Sequence, residues 1–249
     1  MLVARGLTAG YTDRLAIQDV SIEVAPGEVV ALIGRNASGK STVLRTLMGL
    51  LRPRAGELRI STKDIRNWTT QQRIDDGLGY MPQGGRLFPD LTIQENIQVY
   101  LGRRYGYDSM FDKMLHWEVS AEIRQGLFFS RVLHLLGRNK AVARHLSGGE
   151  KQLIAIARTL LRPSHYVLLD EPSIGLAPNL LSDVGSILRS FAAHGTGVLV
   201  VDQNVNWILA VADRVCIMRQ GMIVESGPVR AFRDEPQRLY EAFGLIGRA

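Results

Sequence analysis

The octet Gly34-Arg35-Asn36-Ala37-Ser38-Gly39-Lys40-Ser41 constrains this chain more than any other part of it. It fits the pattern G-x-x-x-x-G-K-[ST] and stands where that pattern has physical meaning, after the apolar run Val29 to Ile33 and before the helical stretch Thr42 to Leu50. Glycines let the backbone curl so that successive N–H groups aim inward, and the following helix adds the positive end of its dipole. Such a loop suits a polyphosphate. Lys40 would bridge the outer phosphates and the Ser41 hydroxyl would ligate Mg²⁺, with Thr42 at the helix start among the binding residues. The competing reading is a glycine-rich turn that carries a surface lysine.

A strand, loop and helix of this kind belong to a parallel sheet, and further strands are visible. Val29 to Ile33, Tyr166 to Leu169 and Val198 to Val201 are β-branched or Leu-rich runs without alternation, as in strands buried on both faces. Ile22 to Val24 and Leu58 to Ser61 read as hairpin or edge strands, with Pro26-Gly27 and Ala55-Gly56 as turns. From about Leu91 to Leu161 helical periodicity replaces the strand signal, most clearly in Ile93 to Asn96 and Glu150 to Leu161. Arg214 to Met218 and Met222 to Glu225 around Arg219-Gln220-Gly221 predict a hairpin, followed by a helical tail from Val229 to Phe243. The expected fold class is α/β: a P-loop core with a mixed or parallel sheet, an antiparallel β portion at the N-terminus and an inserted helical lobe at about 91–161. One domain over residues 1–249 is expected.

Composition limits the function classes. With 249 residues, 46% of them hydrophobic and 22% charged, the chain is long and apolar enough for a substantial core. The net charge of +6 would allow contact with nucleic acid or an anionic membrane, yet Lys and Arg are scattered among acids, and no nucleic-acid partner is expected. Cys216 is the only cysteine, which excludes an internal disulfide, fits a reducing compartment and reads as a buried structural thiol. The opening Met-Leu-Val-Ala-Arg-Gly-Leu lacks the apolar core of a signal peptide, and no run approaches the ~18 apolar residues of a membrane span. A cytoplasmic location is the expectation.

Two more motifs carry chemistry. Tyr166-Val-Leu-Leu-Asp170-Glu171 is an apolar strand ending in two acids at the carboxyl edge of a sheet, where ligands bind in such folds. Adjacent acids on a strand end point in different directions, so Asp170 is assigned to the metal and Glu171 to the attacking water. Away from a phosphate loop, such a pair would read as an N-cap or solvated turn. Leu146-Ser147-Gly148-Gly149-Glu150 opens a helix and exposes N–H donors and a hydroxyl, a second anion site in which Ser147, Gly148 and Gly149 would contact phosphate. Ser147 and Glu150 also fit a capping box, and the two readings are compatible.

In this order the motifs strongly resemble those of the ATP-binding cassette ATPases, with G-R-N-A-S-G-K-S as Walker A, L-S-G-G-E as the signature and Y-V-L-L-D-E as Walker B. The similarity covers nearly the whole chain. It implies that Gly34, Arg35, Asn36, Ala37, Ser38, Gly39, Lys40, Ser41 and Thr42 bind ATP with Mg²⁺. Gln83 in Tyr-Met-Pro-Gln matches the Q-loop glutamine that senses Mg²⁺ and the γ-phosphate, and Tyr11 in Ala-Gly-Tyr matches the aromatic residue that stacks on adenine. The resemblance further implies a head-to-tail pair with a second homologous ATPase chain, each ATP lying between Walker A of one chain and the signature of the other. Transmembrane permease subunits would dock a coupling helix near Gln83, Phe88 and Leu91, and a solute-binding protein would act indirectly. The implied location is peripheral, on the cytoplasmic face of the plasma (inner) membrane.

Within the family, Glu171-Pro-Ser-Ile-Gly-Leu-Ala-Pro178 and Gln203-Asn204 look like the ATPases of branched-chain amino-acid importers or of their urea and amide relatives. Most relatives place Asp where Ala177 stands, and Asn36-Ala37-Ser38 replaces a commoner Asn-Gly-Ala. Residues 102–130 do not align. Other readings are a cytosolic cassette in translation or DNA repair and a poorly hydrolysing ATP-sensing subunit. Gln203 stands where most of the family has a histidine against the γ-phosphate; an amide keeps a donor and an acceptor but does not titrate near neutrality. The plainer reading makes Gln203 a cap for a helix from Asn204 to Ala212.

Overall fold

A computed structural model describes residues 1–102, 112 and 119–242. The chain opens on an antiparallel hairpin of β1 (Leu2–Tyr11) and β2 (Arg14–Val24). β3 (Val29–Ile33) runs into α1 (Lys40–Leu47), and β4 (Ala55–Ile60) and β5 (Lys63–Asp64) complete a sheet in the order β2-β1-β4-β5. This is the expected N-terminal β portion, with one correction. Ala55-Gly56 does not turn the chain; both residues lie inside β4. Gly56 has φ +100° and approaches β1 so closely that a Cβ would lie 2.6 Å from the carbonyl oxygens of Arg5 and Gly6, where the register of the two strands shifts. The glycine serves close backbone approach at a strand irregularity.

α2 (Thr70–Asp75) precedes β6 (Leu78–Met81). Between β6 and β7 (Tyr166–Asp170) no strand forms among the described residues, which build α3 (Ile93–Leu101), α4 (Ala121–Gln125), α5 (Leu127–Gly137) and α6 (Gly148–Leu161). Much of the unaligned 102–130 stretch lies outside the described residues. α7 (Pro178–Ala193), β8 (Gly197–Asp202), α8 (Val205–Val211), β9 (Arg214–Arg219) and β10 (Met222–Pro228) follow. The expected hairpin turns through Gln220-Gly221, with φ +49° and +84°, as a two-residue primed turn requires. The tail is two short helices, α9 (Val229–Asp234) and α10 (Pro236–Ala242), and Phe243 lies outside the described residues.

The second sheet has the order β10-β9-β3-β8-β7-β6; only β10 is antiparallel to its neighbour. Its central strands bury both faces, which explains their unbroken apolar runs. Val30, Leu32, Leu168, Leu199 and Val201 join α1 and the N-terminal sheet in one core. Ala31, Ile33, Val167, Leu169, Val198 and Val200 join α6 and α7 in the other. The carboxyl ends of β3, β7 and β8 therefore stand side by side, presenting the loops after residues 33, 170 and 202 at one edge.

Cys216 lies in this sheet, 1% exposed, and burial pushes its thiol up to about 11. A protonated thiol without solvent access is a poor nucleophile. Native chain at pH 8 is expected to release no chromophore from a disulfide reagent such as dithiobisnitrobenzoate, and guanidinium is expected to release one equivalent. Prompt reaction of the native chain would contradict this burial.

Candidate active site

The loop after β3 is shaped by its own residues. Ala37 (φ +61°) and Gly39 (φ +107°) both take left-handed backbone, and a Cβ on Gly39 would meet Ala16 O and Ile17 Cγ2 at 2.9 Å. No side chain caps α1, so its first-turn N–H groups are available to an anion. Lys40 folds back and donates from Nζ to Gly34 O (2.8 Å) and Arg35 O (3.0 Å). Burial lowers its pKa, while Glu171, Asp170 and Asp202 pull it back up. The buried Ser38 hydroxyl has no hydrogen-bond partner, a cost that an oxygen-rich ligand in the loop would remove.

A cleft of about 470 Å³ is lined by residues 36–42 together with Gln83 and Glu171. Leu15 and Ala16 of β2 and Gln220-Gly221 of the last hairpin form its other wall, a contribution no local sequence pattern signals. Tyr11 is not among the lining residues; it is exposed, and its hydroxyl accepts a 2.9 Å hydrogen bond from Arg45 Nη1. A larger cavity, about 740 Å³, opens at the opposite edge of the sheet beside Gly77, His165 and Thr196, which precede β6, β7 and β8. Chemistry rather than size distinguishes the cleft at the phosphate loop.

Ser41 Oγ donates to Asp170 Oδ1 at 3.1 Å, so two hard oxygen atoms meet at the loop. Burial raises the Asp170 pKa, offset by the Ser41 hydroxyl and raised further by Glu171. The pair fits a cation that takes only one or two protein oxygens and completes its shell with phosphate and water, as Mg²⁺ does.

Glu171 is held at every polar atom. Its backbone is left-handed (φ +51°), its N–H donates to Val201 O at 2.7 Å, and its carbonyl accepts from Gln152 Nε2 at 3.1 Å. The Gln83 amide donates to Oε2 and the Gln203 amide to Oε1. Three residues singled out separately in the sequence are thus in contact, and the carboxylate faces the phosphate cleft as a potential proton acceptor. The cap reading of Gln203 is corrected: the N-cap of α8 is Asn204, whose Oδ1 accepts from Trp207 N at 3.2 Å.

Ser147 and Glu150 form the capping box of α6. A Cβ on Gly149 would lie 3.1 Å from Gly175 O, so the Ser147-Gly148-Gly149 turn abuts the loop after β7 and does not line the phosphate cleft of its own chain. Several supporting residues were not legible in the sequence. Gln152, 3% exposed, donates to the carbonyls of Glu171 and Pro172. Arg158 donates to Gly85 O at 2.6 Å and lies 4.8 Å from the centre of the Tyr100 ring. Asn96, fully buried, bonds Phe88 N and the carbonyls of Phe88, Leu91 and Thr92. Arg158 and Asn96 brace the segment after Gln83 against α6 and α3, and Gln152 holds the loop after β7 to α6.

A loop shaped to cradle phosphate and a carboxylate placed to accept a proton, at one edge of a parallel sheet, are the arrangement of a P-loop nucleotide hydrolase. Residues 17–174 match the model of the ABC transporter family, and the chain belongs to that family. It is an ATPase of the kind that couples ATP hydrolysis to transport. It is 32% identical over 236 residues to the lipopolysaccharide export system ATP-binding protein LptB of Acidithiobacillus ferridurans, covering 95% of this chain and 93% of that one. It is 35% identical over 211 residues to the high-affinity branched-chain amino acid transport ATP-binding protein BraG of Pseudomonas aeruginosa, covering 84% of each. The crystal structure of a nucleotide-free ATP-binding cassette from an ABC transporter matches with TM-score 0.75 at 26% identity, covering 100% of this chain and 99% of that one.

Proposed function

We propose that the chain is one of two paired ATPase subunits that close head to tail on two ATP molecules and drive a solute through transmembrane permease subunits. The observation that carries this reading is the Glu171 carboxylate held between the Gln83 and Gln203 amides beside Lys40. Lys40 leaves the Gly34 and Arg35 carbonyls for the outer phosphates, and residues 34–42 cradle them. Mg²⁺ held by Ser41 and Asp170 would neutralise charge on the β- and γ-phosphates. The γ-phosphate draws the Gln83 and Gln203 amides onto its own oxygens, which frees Glu171 to act as base. Water oxygen then bonds to the γ-phosphorus, its proton passes to Glu171, and the bond to the β–γ bridging oxygen breaks with its electron pair leaving on ADP. Ser147, Gly148 and Gly149 supply donors to the facing chain's ATP, and Tyr11 meets the adenine.

The chain acts as a single nucleotide-binding domain at the cytoplasmic face of the membrane, peripheral to its permease; no described helix is long and apolar enough to cross a membrane. The solute class is a branched-chain amino acid or a related amide or urea, supported by Ala177-Pro178, Gln203-Asn204 and the similarity to BraG. The similarity to LptB supports an export substrate as a second reading. Proteoliposomes holding the chain, a second cassette, the permease pair and the solute-binding protein are expected to accumulate labelled leucine only with internal or external ATP at the cassette face. ATPase stimulation without accumulation of leucine or urea would contradict the import assignment.

A further inference from the structure

We infer that Asp202 is a positioning residue for hydrolysis, acting through Gln203: its buried carboxylate ties the loop that carries Gln203 to Ser173, and so fixes where the Gln203 amide sits, against Glu171 at rest and against the γ-phosphate in turnover. The inference rests on the proposed role of Glu171 and assigns a new residue to the same site.

Asp202 ends β8 and is 1% exposed. Its Oδ1 accepts from Ser173 Oγ (2.7 Å), Gln203 N (2.7 Å) and Asn204 N (2.8 Å), and its Oδ2 accepts from Ser173 N (3.1 Å). It forms no ion pair among the described residues. A carboxylate buried at this depth is tolerated where its lone pairs are filled, and here donors from two loops fill them. The loops belong to adjacent strands already joined by Glu171 N to Val201 O (2.7 Å). Asp202 adds the second tie, from the residue before Gln203 to Ser173, two residues after Glu171. With the backbone fixed at residues 173, 203 and 204, the Gln203 side chain has one short reach to Glu171 Oε1. Without Asp202 the Gln203 and Asn204 N–H groups lose their acceptor and the loop re-orients, while the phosphate loop keeps its own contacts.

Asp202→Asn keeps Oδ1 and its donors but turns an amide donor toward the Ser173 N–H. A shift of about 1 Å at a catalytic group costs up to roughly 100-fold; for this partial disruption kcat is expected to fall about 10-fold, with KM for ATP within about twofold. Ser173→Ala removes only the hydroxyl tie, and its kcat is expected to fall about threefold. The decisive comparison is made in a Gln203→Ala background, where Asp202→Asn is expected to lower kcat by no more than about twofold further, because the amide through which Asp202 acts is already gone. An equal loss in both backgrounds, or a rise in KM to match, would overturn the inference. If Asp202→Asn does not fold by circular dichroism, Ser173→Ala decides, and an unchanged kcat there overturns it. Glu171→Gln is assayed alongside on the full chain with Mg-ATP: retained turnover in that variant refutes the proposed base, whereas its loss beside full activity in Asp202→Asn refutes the present inference alone.

Discussion

Glu171→Gln is expected to cut steady-state ATP turnover by about 10³-fold, the usual contribution of a positioned base, while ATP binding stays at least as tight as in the parent. The substitution is nearly isosteric, so the left-handed backbone and the bonds to Val201 O and Gln152 Nε2 are kept. What changes is the side chain's capacity to accept a proton. The amide also places a donor against one of the two glutamine amides, Gln83 or Gln203, so the resting clamp loosens and the nucleotide-bound arrangement gains by comparison. A coupled-enzyme assay for turnover and a fluorescent-nucleotide titration for affinity together check the result. Turnover within a factor of two of the parent would remove Glu171 from the base role.

Lys40→Met is expected to weaken ATP binding by about 100-fold, the equivalent of about 3 kcal/mol in charge-assisted hydrogen bonds to phosphate. The same change is expected to leave the thermal midpoint of the nucleotide-free chain unchanged or raised. Lys40 has a pKa lowered mainly by burial, so its charged form is held at a cost. For a lysine depressed in the folded state, that cost is present below the folded pKa and vanishes as pH rises through the unfolded value. Methionine has no charge to bury and fills a similar volume, though the bonds to Gly34 O and Arg35 O are lost. Calorimetric titration with ATP and a thermal melt separate the two effects. Undiminished affinity would mean that Lys40 does not reach the phosphates.

What was legible in the sequence shares a physical trait: the signal is local. The Gly34–Ser41 octet couples chemistry to a strand and helix immediately on either side, and β3 spans the same residues, Val29–Ile33, as the apolar run that announced it. β7 and β8 were equally visible because strands buried on both faces leave unbroken apolar runs. The Ser147–Glu150 capping box is local too, and it forms as its spacing implies.

Illegible features depend on partners distant in sequence. Gly56 read as a turn because glycine marks both turns and close strand approach, and only the position of β1 decides between them. Gln203 has two readings in the sequence; Asn204 takes the cap, and the Gln203 amide instead bonds Glu171, 32 residues away. Asp202 carries no chemical motif, since its tie across the site, to the Ser173 hydroxyl and amide, reaches 29 residues back. Leu15, Ala16 and Gln220-Gly221 reach the cleft because β2 and the last hairpin fold over it. The motifs name the groups that would meet phosphate, and the tertiary contacts name those that aim them.

Sedimentation velocity of the Glu171→Gln chain with ATP, alone and mixed with the second cassette, tests most directly whether ATP itself closes the subunit pair around the phosphate cleft. With Mg-ATP the chain is expected to sediment as a dimer, and with Mg-ADP as a monomer, because the γ-phosphate supplies the charge that Ser147 and Gly149 of the facing chain would bind. A monomer in both nucleotides, with the second cassette present and at concentrations far above the ATP dissociation constant, would contradict that closure.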